Sequence, residues 1–519
     1  MYMTQGLHRA VQQKPDAIAV RFQGRERSNK EFAGRVARLA WVLQSLGMAP
    51  GDRVAMLALN SDVYLEYQFG VWWGGGVVNP CNTRWSAAEI IFSLQDSTSS
   101  ILIVDDAFVK MAPQIREQAA SIRHIIYAGQ GETPPGMLGY ETLLAAAVPA
   151  EDVCRQGSDL AGLFYTGGTT GFPKGVMLSH HNLWASAMAS IAEGLAGTGR
   201  VYLHAAPMFH LADMAFSMTH ALSGNTHAFV PGFSAEAVLA SIDRDRVTDM
   251  LLVPTMIQML VDHPAMQAGY DLGSLKRICY GASPIAEAVL DRAMAVLPGV
   301  DFVQAYGMTE LSPIATINHA CNHTVEGRKA GKLRSAGRAT VGAEVKIVNG
   351  DGIEVARGEV GEVVVRGANV MLGYWNNPAQ TEAAIRKGWM HTGDGAYMDA
   401  DGYIFIVDRM KDMIISGGEN IFSAEVENAI ASHPAVAACA VIGIPNPAWG
   451  ESVHAVIVPK PGCTPDADDI IAHCKALIAG YKCPRSIAFA GQLPLSGAGK
   501  VLKNQLREPF WSGRQRGVG

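Results

Sequence analysis

Short apolar runs alternate with segments of helical periodicity over residues 28–130. Residues 29–47 (NKEFAGRVARLAWVLQSLG) place apolar side chains at helical spacing and end at a glycine. Residues 52–59 (DRVAMLAL) and 100–106 (SILIVDD) are typical of buried strands, and residues 62–75 again have helical periodicity. Strands that alternate with helices form parallel sheets covered on both faces. The pattern therefore predicts an α/β fold.

The same alternation resumes further along the chain, in five short apolar runs that each end in a polar or glycine-rich loop. These runs are RVYLHAAPM, HAFVPG, DMLLVP, KRICYGAS and DFVQAYG. In open α/β sheets, ligands bind beyond the carboxyl ends of the strands. The loops that follow these runs are therefore candidates for a binding site.

After residue 330 the pattern changes. Residues 342–355 and 361–375 predict antiparallel strands, the first containing an Asn-Gly-Asp-Gly turn. The tail beyond about residue 411 has an α+β pattern of its own. We expect a large N-terminal α/β domain of several subdomains (residues 1–408) and a small C-terminal α+β domain (residues 409–519).

The composition of the chain argues against several functional classes. Hydrophobic residues make up 49% of the 519 and charged residues 17%, and the net charge is −6, so no basic surplus favours a nucleic-acid partner. No apolar run approaches the ~20 residues of a membrane span, and the first residues lack the apolar stretch of a signal peptide. The eight cysteines form no C-x-x-C pair, which argues against zinc and disulfide frameworks. We expect a cytoplasmic protein, and a homodimer is compatible with this interpretation.

Residues 165–180 (YTGGTTGFPKGVMLSH) concentrate candidate chemistry. Glycines let the backbone approach a ligand, and exposed N–H groups, threonine hydroxyls and Lys174 suit an anion. The strict ATP-cradling pattern G-x-x-x-x-G-K-[ST] is absent, because Pro173 precedes the lysine and Gly175 follows it. Taken alone, the stretch favours a phosphate loop, and a mobile Gly/Thr linker is the alternative.

Four further motifs follow in order: AYGMTE (305–310), HTGD (391–394), DRMKD (408–412) and LPLSGAGKVLK (493–503). Together with the glycine-rich stretch, they resemble the acyl-CoA synthetase branch of the adenylate-forming ligases, over nearly the whole chain. The resemblance implies that a carboxylate attacks the α-phosphate of ATP to give acyl-AMP, and that the thiol of coenzyme A then takes the acyl group. It also implies Mg²⁺ and a mobile C-terminal domain.

The resemblance assigns the nucleotide site. The phosphate loop would comprise Thr166, Gly167, Gly168, Thr169, Thr170 and Lys174. The adenine slot would comprise Gly281, Ala282, Ser283, Ala305, Tyr306 and Gly307, with Tyr306 stacked on the base. Thr309 would contact the α-phosphate, Glu310 would ligate Mg²⁺, and Asp394 and Arg409 would hold the ribose.

The resemblance also assigns the moving parts. Lys500 would swing onto the α-phosphate, from a loop in which Leu495-Ser496 replaces the family's usual Arg-Thr. Lys411 falls at the hinge of the small domain, and His210 would gate the acyl and thiol tunnels. The coenzyme A face would comprise Gly417, Gly418, Trp449 and Arg485.

Simpler roles exist for several of these residues. Thr309-Glu310 suits the start of a helix, and Asp394 beside Gly393 suits a turn. For the remaining side chains the alternatives are a structural role for His210, a core position for Tyr306 and Trp449, a surface salt bridge for Arg409, and a solvated charge for Arg485 and Lys500.

The acyl pocket expected from the resemblance is apolar or small-sided. It would draw on Trp184, His210, Met214, Phe229, Pro231, Gly232, Gly281, Gly307, Met308 and Ser312 to Ile314. No lysine or arginine among them could bind a second carboxylate, and no acidic residue could bind an amino group. We expect a medium- or long-chain fatty acid, with an aryl or arylpropenoic acid as the alternative.

Two other functions compete with a CoA ligase. The acyl group could pass to a carrier protein, although no carrier domain is present in the chain. A non-catalytic nucleotide sensor is the second rival, and it is opposed by the presence of Lys174, Glu310, Asp394 and Lys500 together.

Overall fold

The computed structural model describes residues 1–167, 173–409, 412–417, 419–496 and 501–512. Its fold confirms the predicted class, a large α/β N-terminal domain followed by a small α+β domain. No helix within the described ranges is both long enough and apolar enough to cross a membrane.

The first region, up to residue 150, alternates short strands with helices. Its strands are β1 (Ile18–Phe22), β2 (Arg25–Ser28), β3 (Arg53–Leu57), β4 (Val77–Pro80), β5 (Ile101–Val104), β6 (His124–Tyr127) and β7 (Leu138–Gly139). Its helices are α1 (Gln5–Gln13), α2 (Asn29–Ser45), α3 (Asp62–Trp73), α4 (Ala87–Asp96), α5 (Ala112–Gln118) and α6 (Tyr140–Ala146). Capping boxes at Ser28 and Ser86 fix the starts of α2 and α4.

The second region contains the glycine-rich stretch and most of the predicted ligand loops. Its strands are β8 (Leu160–Thr166), β9 (Lys174–Ser179), β10 (Val201–His204), β11 (Thr226–Phe229), β12 (Asp249–Leu252), β13 (Arg277–Gly281), β14 (Asp301–Gly307), β15 (Ile314–Asn318) and β16 (Arg338–Ala339). Its helices are α7 (His180–Ala192), α8 (Leu211–Leu222), α9 (Ala235–Asp245), α10 (Pro254–Val261), α11 (Glu287–Val296) and α12 (Val325–Lys329).

The last two regions are richer in antiparallel strands. The third comprises β17 (Ala343–Val348), β18 (Gly361–Gly367), β19 (Gly373–Tyr374), α13 (Pro378–Ala384), β20 (Ile385–Arg386), β21 (Trp389–Met398) and β22 (Ile404–Arg409). The fourth comprises β23 (Ile414–Ser416), β24 (Glu419–Ile421), α14 (Ser423–Ala431), β25 (Val436–Asn446), β26 (Gly450–Pro459), α15 (Ala467–Leu477), β27 (Ser486–Phe489) and α16 (Lys503–Trp511).

Two large sheets form the core of the N-terminal domain. The nine-stranded sheet has the order β16-β15-β14-β13-β12-β10-β11-β1-β2, and the eight-stranded sheet has the order β19-β9-β8-β4-β3-β5-β6-β7. Their central strands pair in parallel, for example β12 with β13 and β3 with β5, and are buried on both faces. This burial explains why they occur as continuous apolar runs in the sequence.

Two five-stranded sheets complete the molecule. One orders its strands β17-β18-β21-β20, with β22 added beside β21, and all of its pairings are antiparallel. The other, in the C-terminal domain, orders its strands β24-β23-β26-β25, with β27 parallel to β26. Strand β22 ends at Arg409, so the predicted hinge follows the end of a sheet strand.

Candidate active site

The strands on either side of the glycine-rich stretch, β8 and β9, form a hairpin at one side of the eight-stranded sheet. Strands β8 and β9 run antiparallel, and Thr166 lies opposite Lys174. Gly167 is exposed beyond the end of β8. The hairpin thus brings the two ends of the predicted phosphate loop side by side. Three further members of that loop lie outside the described residues: Gly168, Thr169 and Thr170.

Tyr374 connects the hairpin to the predicted metal ligand. The Lys174 ammonium lies 5.6 Å from the centre of the Tyr374 ring, and the Tyr374 hydroxyl donates a 2.8 Å hydrogen bond to Glu310 Oε1. Burial, reinforced by Glu310, raises the pKa of the Tyr374 hydroxyl, so it keeps its proton and remains a donor. The structure therefore brings Lys174 and Glu310 to one place.

Thr309 and Glu310 lie in a single 3-10 turn, Thr309–Leu311, directly after β14. Thr309 is the first residue of this short helix, so the helix-start alternative is met in its 3-10 form, and the contacts with phosphate and metal stay predictions. The Glu310 side chain is only 6% exposed. A buried carboxylate needs a partner that compensates its charge, and Tyr374 supplies one hydrogen bond.

Asp394 lies within β21, directly opposite Arg409 on β22. One of its oxygens accepts from the Tyr306 hydroxyl at 2.7 Å, and the other lies 2.7 Å from Arg409 Nε. Burial and the Asp394 charge raise the pKa of Tyr306, and Asp394 raises the pKa of Arg409. The carboxylate is buried within a strand, so the turn alternative is wrong. Thr392 fixes its backbone by accepting the Asp394 N–H.

The predicted adenine slot lies at the carboxyl ends of two adjacent parallel strands, β13 and β14. Gly281 pairs with Ala305, and a Cβ on Gly281 would lie 2.1 Å from the Ala305 carbonyl oxygen. A Cβ on Gly307 would lie 1.9 Å from the carbonyl oxygen of Pro313. Ala282 has a φ of +68°, a left-handed conformation that turns the chain away just before Ser283. The two glycines thus let neighbouring backbone segments pack closely at the ends of these strands.

His210 caps α8, because its ring accepts the N–H of Ala212 at 3.2 Å. His210 thus has a structural role, which was the alternative to a gate between the acyl and thiol tunnels. The gate stays a prediction. Its neighbour Phe209 lies 6.4 Å away, ring centre to ring centre, and is buried.

The predicted coenzyme A face contains an exposed aromatic platform. Trp449 is 50% exposed, which excludes the core alternative, and the Arg485 guanidinium lies 5.8 Å from its ring centre. Gly417 has a φ of +63° and lies under the indole, where a Cβ would be 2.7 Å from the ring. The remaining residues of the moving parts lie outside the described residues: Gly418, Lys411 and Lys500.

The acyl pocket expected from the sequence lies beside one hydrophobic core cluster. Met214 is buried within that cluster, and Trp184, Tyr306 and Met308 pack against it while keeping part of their surface uncovered. The Trp184 indole N–H is buried, and no hydrogen-bond acceptor for it exists among the described residues.

Sequence analysis missed the aromatic residues after β18 that hold the site together. Tyr374 contacts both Lys174 and Glu310, and the Trp375 N–H donates to the Gly175 carbonyl at 2.7 Å. The available signal was a tyrosine and a tryptophan directly after Gly373, where the apolar run ends.

The fold and the site define a nucleotide-binding ligase with two lobes. A cationic hairpin and two buried carboxylates surround the ends of parallel strands, and a small α+β domain follows. The chain belongs to the AMP-binding enzyme family, whose model matches residues 7–375; the model of the AMP-binding enzyme C-terminal domain matches residues 425–500. The protein is an AMP-forming acid–thiol ligase that acts through an acyl-adenylate.

The curated relatives and solved structures that match the chain include CoA ligases and a carrier-protein ligase. The chain is 40% identical to a feruloyl-CoA synthase from Amycolatopsis sp, over 97% of this chain and 98% of the relative. It is 34% identical to the fatty acid–[acyl-carrier-protein] ligase ScoC from Streptomyces coeruleorubidus, over 98% and 96% respectively. The crystal structure of the anthranilate CoA ligase AuaEII with anthranoyl-AMP superposes with a TM-score of 0.90 at 27% identity, covering 98% of this chain and 97% of that one.

Proposed function

We propose that this enzyme joins an oxygen-substituted aryl or arylpropenoic acid to free coenzyme A. The observation that carries the proposal is the Trp184 indole, which packs beside the acyl pocket with its N–H buried and unpaired among the described residues. A fatty-acid tail offers no acceptor to this donor and would leave it unpaired. A phenol or methoxy oxygen would accept its hydrogen bond.

Two of the relatives reported above support an aromatic acid. One is named for a feruloyl group and the other is a CoA ligase for anthranilate. Because ScoC is named as a fatty acid–[acyl-carrier-protein] ligase, a fatty acid remains the alternative substrate and a carrier protein the alternative acceptor. The exposed platform of Trp449 and Arg485 favours free coenzyme A, because an aromatic ring and a cation suit a nucleotide.

In the first half-reaction, a carboxylate oxygen bonds to the α-phosphorus of ATP and the bond to pyrophosphate breaks. We assign Lys174 and the hairpin to the leaving phosphates, Thr309 to the α-phosphate, and Asp394 with Arg409 to the ribose. The Glu310 carboxylate fits Mg²⁺, since this cation prefers oxygen ligands and commonly uses few protein carboxylates beside phosphates. Bound there, Mg²⁺ would offset phosphate charge.

In the second half-reaction, the coenzyme A thiolate bonds to the acyl carbon and the bond to AMP breaks. The thiol proton is lost in this step. We assign Lys500 to the first half-reaction and place the hinge at Lys411, in the segment after β22. The boundary between the two domains then falls between residues 408 and 409.

A panel of acids scored for CoA-dependent AMP release tests the substrate. We expect hydroxylated arylpropenoic acids to exceed the unsubstituted acid in kcat/KM by about 10-fold, the value of one hydrogen bond, and to exceed fatty acids further. Trp184→Phe should reduce the preference for the hydroxyl and leave the KM for ATP unchanged. A preference for fatty acids, or a Trp184→Phe variant with unaltered selectivity, would refute the proposed substrate.

A further inference from the structure

Asp96 contacts the hairpin that carries the predicted phosphate loop, and it does so from a different part of the chain. Asp96 is the last residue of α4. Its Oδ2 accepts a 2.5 Å hydrogen bond from the hydroxyl of Tyr165, which precedes Thr166 on β8. Burial, reinforced by this bond to Asp96, raises the pKa of Tyr165, so the hydroxyl remains a donor.

The backbone of Asp96 reaches the other strand of the hairpin through Trp375. The Trp375 indole N–H donates to the Asp96 carbonyl oxygen at 2.8 Å, and the Trp375 backbone N–H donates to the Gly175 carbonyl oxygen at 2.7 Å. A Cβ on Gly175 would lie 3.1 Å from the Tyr165 ring and 3.2 Å from Trp375 Cβ. Gly175 is therefore enclosed between the two aromatic residues that Asp96 holds.

The position of this carboxylate is not explained by its own helix. The carboxyl end of a helix carries partial negative charge, which disfavours an acidic residue in the last turn. The contacts of the Asp96 carboxylate are instead tertiary: it accepts from the Tyr165 hydroxyl, 69 residues away, and from the Asn376 amide, 280 residues away, at 3.4 Å. A residue that opposes the local preference and satisfies distant partners is expected to have a role outside its helix.

We propose that the Asp96 carboxylate positions the phosphate loop through Tyr165 on β8, while the backbone carbonyl of the same residue holds Trp375 beside β9. The inference rests on the proposed contact of the loop with the ATP phosphates. The first half-reaction uses those phosphates, and the second starts from acyl-AMP without them. Loosening the hairpin should therefore impair adenylation and spare thioester formation.

The test uses Asp96→Ala, Tyr165→Phe and the double variant in the full-length enzyme. Loss of a charge-assisted hydrogen bond should raise the KM for ATP in pyrophosphate exchange about 10-fold in each single variant. Adding Tyr165→Phe to Asp96→Ala should cause no further loss, because the carboxylate that Tyr165 contacts is already removed. Thioester formation from supplied acyl-AMP should stay within about 2-fold of the wild-type rate, since that step leaves the hairpin unused.

Gln95→Ala is the matched control, since Gln95 bonds to the Gln118 carbonyl oxygen and does not touch the hairpin. It should leave both half-reactions unchanged. Thermal unfolding of every variant identifies a loss of fold, and Tyr165→Phe keeps the ring in place if Asp96→Ala is unstable. An unchanged KM for ATP, or equal losses in both half-reactions, would overturn the role of Asp96.

Lys174→Ala separates this inference from the function on which it rests. If Lys174→Ala weakens ATP binding and Asp96→Ala does not, the role of Asp96 fails alone. If Lys174→Ala has no effect on the KM for ATP, the phosphate role of the loop fails, and the inference about Asp96 fails with it.

Discussion

Single side chains acquire their roles in this site from partners that lie far away in the sequence. The Tyr374 hydroxyl bonds to a carboxylate 64 residues earlier, and Asp394 accepts from Tyr306, 88 residues earlier. In the sequence, each tyrosine belongs to an otherwise apolar run. Only the fold places a buried carboxylate beside its hydroxyl. Both then keep their protons, because burial and the nearby charge raise their pKa values.

The buried imidazole of His323 supports the adenine slot and should make stability depend on pH. Its Nε2 accepts from the hydroxyl of Tyr280, the residue before Gly281, at 2.8 Å, and its Nδ1 donates to the His319 carbonyl at 3.0 Å. Burial lowers the pKa of His323 to about 4. Between pH 6.5 and about 4, His323 is therefore protonated in the unfolded chain and neutral in the folded protein. The free energy of unfolding falls as pH drops through this window.

We expect His323→Gln to flatten this dependence. Between pH 6.5 and 5.0 the wild-type enzyme should lose up to about 2 kcal/mol of unfolding free energy through this histidine. Denaturant unfolding at several pH values measures the slope. Tyr280→Phe, which keeps the histidine, should retain most of the slope, and a His323→Gln slope parallel to the wild type would contradict the assignment.

The motifs predict residues for the chemistry but not the groups that contact those residues in the fold. Lys174, Glu310 and Asp394 stand in motifs whose spacing is short and local. Tyr374 and Asp96 do not, because their contacts depend on how β19 and α4 approach the hairpin in three dimensions. Periodicity and motif matching describe neighbours along the chain and contain no information on that approach.

Helices and strands were predicted best where burial is complete. The parallel strands are continuous apolar runs covered on both faces, and they lie where the pattern places them. The turn at residues 349–352 is also present, but β17 pairs with β18 instead of with residues 353–355, which contribute only an isolated bridge to Val348. Ile353 is 63% exposed whereas Val363 on β18 is fully buried, so the more buried partner is the one that pairs.

Close contact between β13 and β14 makes Gly281 sensitive to any side chain. Gly281→Ala would place a methyl group 2.1 Å from the Ala305 carbonyl oxygen, so the strand ends must separate. We expect a loss of about 1–3 kcal/mol in unfolding free energy, the usual cost of overpacking, and a rise in the KM for ATP. Gly350→Ala is the control, because a Cβ there meets no atom within 4 Å. Equal stability and equal KM values in the two variants would contradict this account.

A network of charged side chains, most of them in the C-terminal domain, surrounds the end of β22. The Lys503 ammonium, in α16, lies 2.7 Å from Glu427 Oε1 and donates to the Ser423 hydroxyl at 2.5 Å. The Ser423 N–H donates to Asp408 Oδ2 at 2.6 Å, next to the predicted hinge. Helix α16 follows the segment that contains Lys500, and the Arg507 side chain in α16 pairs with Asp412. These contacts tie α16 to residues on both sides of the predicted hinge.

Lys503 should therefore matter to the joint more than an exposed lysine does. Burial opposes its charge, but Glu427 and Asp408 outweigh that effect and raise the pKa of Lys503. Lys503→Met leaves their carboxylates without a cation, which should cost about 3 kcal/mol of unfolding free energy and should slow adenylation by loosening α16 from the residues beside the predicted hinge. Lys482→Met breaks a more exposed pair with Glu425 in the same domain and should cost at most about 1 kcal/mol. Adding Glu427→Gln to Lys503→Met should restore part of the stability, because it removes one unpaired charge. Equal losses in the Lys503 and Lys482 variants would show that α16 is not tied to the joint through this contact.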